Sequence, residues 1–137
     1  MLQSSRMSLQ QVLAHVDRAV AGTSVDEAVG EGLLSIVGVL ADDVSLRKAL
    51  ADSSVDPTAK GEVLDRLFGT RVNGVSVEIA RSAAGHHWAR RQDFVTALEV
   101  AGVTAVAASA QAQSRLGRVE EELFRFARTI ETHHELG

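Results

Sequence analysis

The chain has 137 residues, a formal net charge of −4 and no cysteine. That is the size of one domain, and it excludes disulfide staples and thiolate metal sites. The acidic balance argues against nucleic-acid binding, which calls for a basic stripe; no apolar run approaches the roughly 18 residues of a membrane span, so no direct membrane insertion is expected.

The opening segment MLQSSRMSLQ lacks the apolar core of a signal peptide. A single proline, no tyrosine and abundant Ala, Leu, Glu and Arg favour helix over sheet. Ser4, Ser5 or Ser8 is expected to cap a first helix reaching Ala21, with Leu9, Val12, Leu13, Val16, Ala19 and Val20 on its apolar face. Gly22 should end it, because glycine tolerates the left-handed turn after a helix. Ser24 and Glu27 stand at capping-box spacing, so a second helix starts there and runs to Leu40. Leu33, Ile36, Val37 and Leu40 mark its buried face at i, i+3, i+4 and i+7.

Asp42 and Asp43 break that run. Either can accept from the free N–H groups of a short third helix, SLRKALA. The two helices read as a hairpin with their apolar faces turned inward. Residues 51–55 read as a loop. Asp56-Pro57 then starts a fourth helix, with Asp as cap and Pro where a missing N–H costs nothing. That helix is expected to bury Val63, Leu64, Leu67 and Phe68 and to stop at Gly69.

Asn73-Gly74 is a turn signal, and TRVNGVSVEI carries enough alternation for a brief strand-like start. VSVEIARSAAGHHWARR reads better as a fifth helix with a small-residue face of Val75, Ile79, Ala80, Ala83 and Ala84. Trp88 to Arg91 form the junction into a long sixth helix whose face is Phe94, Leu98, Ala101 and Ala105. Gly102 weakens it by about 1 kcal/mol relative to Ala. Gly117 is expected to break it. Val119, Leu123, Phe126 and Ile130 then give an additional helical face. Glu121 and Arg125 are spaced as a favourable i,i+4 pair.

No catalytic or cofactor motif is complete. Gly30-Glu31-Gly32 lacks the third glycine and the preceding strand of a dinucleotide fingerprint, and no phosphate loop or nucleophile elbow is present. His86-His87 and His133-His134 are adjacent pairs. On a helix such neighbours diverge by about 100° and chelate poorly. HHWARR joins bases to an aromatic ring but stands alone in an acidic chain, so a packed Trp88 and a solvated Arg90 and Arg91 are the simpler reading. A shift of ninety positions aligns Leu33, Ile36 and Leu40 with Leu123, Phe126 and Ile130. This is either coincident periodicity or the start of a second copy of the bundle.

Several ordered stretches carry a family resemblance. SRMSLQQVLAHVDRAVAG, VLADDVSLRKALADSSVDPTAKGEVLDRLFGTRVN, HHWARRQDFVTALE and VEEELFRFARTIETHHEL together resemble the N-terminal domain of the delta subunit of F-type ATP synthase, the bacterial relative of the oligomycin-sensitivity-conferring protein. The last stretch is similar to members carrying a duplicated bundle. The resemblance implies an all-α fold, a six-helix bundle over 1–114 with an additional C-terminal helix over 115–137. It implies a non-catalytic stator component with no cofactor, peripheral on the cytoplasmic face of the membrane. The implied partner is the N-terminal helix of an alpha subunit, held in a groove of Leu9, Val12, Leu13 and Val16 from the first helix and Val77, Ala80, Ala83 and Ala84 from the fifth. The b-type stalk subunit would be met through a C-terminal region absent from this chain.

Two stretches depart from the family pattern. Ser5-Arg6-Met7-Ser8-Leu9 lacks an early tyrosine, and Trp88-Ala89-Arg90 stands where Asn-Gly-Arg is common. The competing readings are a generic helical docking or regulatory module of helix-turn-helix type, and a small metal- or cofactor-dependent helical enzyme. The acidic balance weighs against the first as a DNA binder, and missing paired carboxylates and histidines weigh against the second.

Overall fold

The computed structural model describes the backbone of residues 1–21 and 27–136 and the side chains of 1–20 and 27–131. Among them are six α-helices and no strand: α1 (Gln3–Ala21), α2 (Ala28–Asp42), α3 (Val44–Ala51), α4 (Pro57–Phe68), α5 (Gly74–Ala84) and α6 (Arg91–Leu136). The expected all-α bundle is therefore observed. The Gly22 stop and the Ser24 half of the capping box lie outside the described residues, as do the side chains of His133 and His134.

Local signals account for three of the helix starts, whereas Glu27, which precedes α2, makes no side-chain cap bond. Asp43 caps α3 by accepting from the Leu46 N–H at 3.0 Å. Arg47 then reaches back to the carbonyls of Leu40 and Ala41, so two of the free acceptors at the end of α2 are occupied. Asp56 accepts from the Thr58 N–H with Pro57 behind it. Asn73 accepts from the Val75 N–H at 2.8 Å, so Asn73-Gly74 opens a helix rather than a turn, and the strand-like start is not formed. An Asx side chain serves either role equally well, and burial of the α5 face decides between them. α5 stops at Ala84 rather than running on to Arg91.

α2 is the axis of the packing. Leu33, Ile36 and Leu40 are fully buried, and α2 packs most extensively against α6. The crossing is close because glycines face each other there. A Cβ on Gly30 would stand 2.8 Å from both the Gly102 carbonyl oxygen and the Val106 nitrogen. Gly102 thus weakens helix propensity and permits the contact that holds α6. α5 lies in the interior, against α1, α2, α4 and α6. Ser76 on α5 donates to the Val29 carbonyl at 2.6 Å. Within α4, Leu64 and Phe68 are buried, whereas Val63 and Leu67 are more than a third exposed. The inward positions are Lys60, Gly61, Leu64 and Phe68, a stripe offset from the expected one.

The additional C-terminal helix is present as the direct continuation of α6, which runs 46 residues, about 70 Å at 1.5 Å per residue. Gly117 does not interrupt it. One exposed glycine costs only about 1 kcal/mol, and the flanking Ala-, Glu- and Arg-rich turns are strong helix formers. Glu121 and Arg125 approach to 3.8 Å, and the Arg128 guanidinium lies 4.7 Å from the Phe124 ring centre. Leu116, Val119, Leu123, Phe126 and Ile130 share one face and are 50–64% exposed. The counterparts of Leu123, Phe126 and Ile130 at minus ninety, Leu33, Ile36 and Leu40, are the most buried residues of α2. One window of α6 is long and apolar enough to cross a membrane, with mean hydropathy 1.4, yet 44% of it is buried in the bundle. A core helix has that same profile.

Candidate docking seam between the first and fifth helices

α1 is fastened to the rest of the bundle by two buried serines. Ser5 Oγ donates to Asp93 Oδ2 at 2.8 Å and accepts from the Ala89 N–H at 2.8 Å. Ser8 Oγ donates to the His87 carbonyl at 2.6 Å. Both serines lie inside α1, so neither is its cap. They latch the α5–α6 junction instead. Nothing in the periodicity signals this role; the one hint is polar residues standing on the helix's apolar face. Trp88 anchors the same junction, its indole N–H donating to the Ala83 carbonyl at 2.8 Å and its ring tilted against Phe94 at 6.1 Å. Lys60 Nζ donates to the Ala84 carbonyl at 3.0 Å. A buried ammonium placed on the last carbonyls of α5 complements the helix dipole, and burial pushes its pKa below the ordinary lysine value.

The eight side chains expected to form the groove fall into two groups. Val12, Val16, Val77, Ala80, Ala83 and Ala84 are at most 4% exposed. They belong to the core, and the small-residue bed on α5 receives this chain's own helices. Leu9 and Leu13 are only partly buried and pack against that core from outside. Six of the eight are thus closed into the core, and Leu9 and Leu13 alone among them keep partial surface. His15 of α1 and His86 beyond α5 are both half-buried. Burial, and secondarily the nearby His15, push the His86 imidazole below its ordinary pKa. No group of three metal-capable side chains comes together among the described residues.

The lowered His86 pKa makes stability pH-dependent. Above the unfolded pKa near 6.5, both states are neutral and the fold is at full strength. As the pH falls through that value the unfolded chain takes up its proton first, so the fold loses stability. Thermal melts between pH 7.5 and 5.5 are expected to show a smaller loss for His86→Gln than for the parent chain. Parallel curves would refute the assignment.

Similarity to known proteins bears on what this seam belongs to. The chain is 36% identical over 134 residues to ATP synthase subunit delta of Streptomyces coelicolor, an alignment covering 97% of this chain and 49% of that protein. The subunit of the same name from Corynebacterium urealyticum is 36% identical, with 97% and 50% covered. That from Nocardia farcinica is 37% identical, with 96% and 47% covered. The chain is homologous to part of ATP synthase subunit delta. It spans about half the length of the curated relatives it matches. No family model matches it. The delta-subunit likeness runs through every helix of the bundle and into the tail, so α1, α5 and the junction that joins them all lie within it.

Proposed function

We propose that the chain is a non-catalytic adaptor of the ATP synthase stator. It holds the N-terminal helix of an alpha subunit along the α1–α5 seam and helps tie the catalytic head to the peripheral stalk. The observation that carries this reading is the likeness to ATP synthase subunit delta across 97% of the chain. The seam adds a physical basis. Leu9 and Leu13 present half-buried apolar surface over a rigid floor, which is what an amphipathic helix docks against. Val12, Val16, Val77, Ala80, Ala83 and Ala84 then act from beneath, by holding α1 and α5 at a fixed spacing.

In this reading residues 1–114 are the docking unit, and 115–137 are a helical tail at which a duplicated bundle would begin. Contact with the b-type stalk subunit belongs to a region of the relatives that this chain does not cover. The protein would sit peripherally on the cytoplasmic face of the membrane, as part of the complex. The test is titration calorimetry with a peptide copying an alpha subunit's N-terminal helix. Binding is expected, weakened at least tenfold by Leu9→Glu with Leu13→Glu. Absence of heat, together with unmoved amide NMR signals in α1 and α5, would remove the proposal.

A further inference from the structure

On another part of the bundle, the α3–α4 loop faces the α5–α6 junction across a cleft of about 480 Å³. That volume lies in the range of small-ligand sites. Lys48, Arg90 and Arg91 line it, and none of the three has an ion-pair partner among the described residues. The one acidic side chain in the lining is Asp52. Its carboxylate is already engaged by the Ser54 N–H at 2.9 Å and the Ser54 hydroxyl at 2.7 Å, and these bonds, with smaller contributions from the charges of Lys60 and Lys48, hold its pKa below the usual carboxylate value. Three cations therefore face one satisfied anion, in a chain that is acidic as a whole.

The wall behind them is fixed. Trp88 is buried and bonded to the end of α5, and the Ala89 N–H is held by Ser5. Asp93, the acid in the first turn of α6, is bonded to Ser5 Oγ. It therefore has a partner of its own beside the arginines. The start of α6 at Arg91 adds the partial positive charge of a helix end. Two guanidinium groups on adjacent residues suit the oxygens of a phosphate, which arginine binds in a bidentate fork.

We propose that this cleft is a binding site for a small, multiply charged phosphate ligand, held by Lys48, Arg90 and Arg91. The site is independent of the α1–α5 seam and of the stator reading. Phosphate is favoured over an acidic peptide because the charge is gathered around one small cleft rather than spread along a face.

The experiment uses the whole chain and inorganic pyrophosphate as probe, by calorimetry at low salt and again at 150 mM salt. Saturable 1:1 binding is expected. It should weaken at least tenfold in the Arg90→Ala, Arg91→Ala double variant and severalfold in Lys48→Ala, and it should persist in part when both arginines become lysine. The Trp88 indole and the Arg91 and Gln92 amides should shift in NMR spectra of the unsubstituted chain, a readout that needs no variant to fold. No saturable binding, shifts confined elsewhere, or affinity unchanged in the variants would overturn the proposal. A glutamate-rich decapeptide binding as tightly as pyrophosphate would also overturn it, by marking a peptide surface instead.

Discussion

Gly30→Val should lower the stability of the bundle by about 3 kcal/mol, near the top of the usual range for overpacking a closed interior. The first carbon added meets a Val106 methyl and, besides it, backbone that cannot swing away. It would lie 2.8 Å from the Gly102 oxygen and from the Val106 nitrogen. α2 and α6 must therefore separate, and their crossing is the largest helix contact in the molecule. Gly38 on the same helix is the control. It is exposed, and a Cβ added there would meet nothing within 4 Å, so Gly38→Ala should stabilise by about 0.5–1 kcal/mol through helix propensity alone. Denaturant titrations of the two variants should move in opposite directions. A Gly30→Val midpoint equal to that of the parent would mean that the two helices have room to spare at their crossing.

Phe94→Ala should cost about 3–5 kcal/mol, the usual penalty for emptying a buried aromatic site. Phe94 is fully buried at the start of α6 and lies against Trp88. It therefore supports both the core and the junction that α1 grips through Ser5 and Ser8. Two readouts are expected together: a lower unfolding midpoint, and a red-shifted emission from Trp88, the single tryptophan of the chain. A red shift with unchanged stability would show the ring to be packed against Trp88 but not part of the cooperative core.

Helix boundaries were readable where a side chain satisfies a backbone group within a few residues. Asp43 and Asp56 do this, and both caps stand where the spacing placed them. Boundaries were harder to read where a short-range signal has two uses. Asn73 suits a turn or a cap, and only the burial of Ser76, Val77, Ile79 and Ala80 selects the helix. Ser5 and Ser8 suit a cap too, yet their partners are 79 to 88 residues away. Gly117 looked like a stop because glycine often is one. In the structure the propensity of its neighbours outweighs a penalty of about 1 kcal/mol.

The seam shows the same division. Periodicity named Val12, Val16, Ala80, Ala83 and Ala84 as an apolar surface, and they are one. A stripe of small and branched residues has the same spacing whether the helix laid on it comes from the same chain or from another. Here α5 is enclosed by its own neighbours, which leaves Leu9 and Leu13 as the part of the expected groove with surface to offer.

The amino-acid order was enough to establish an all-helical bundle and most of its helix starts, because apolar spacing and capping are properties of adjacent residues; the likeness to ATP synthase subunit delta rests instead on whole stretches of matching sequence. Only the folded arrangement decided which faces are spent on the core, that two serines latch α1 to a distant junction, and that Lys48 meets Arg90 and Arg91 around one cleft. Those outcomes depend on how the helices cross, and the crossings are set by side chains far apart in the chain, such as Gly30 and Gly102.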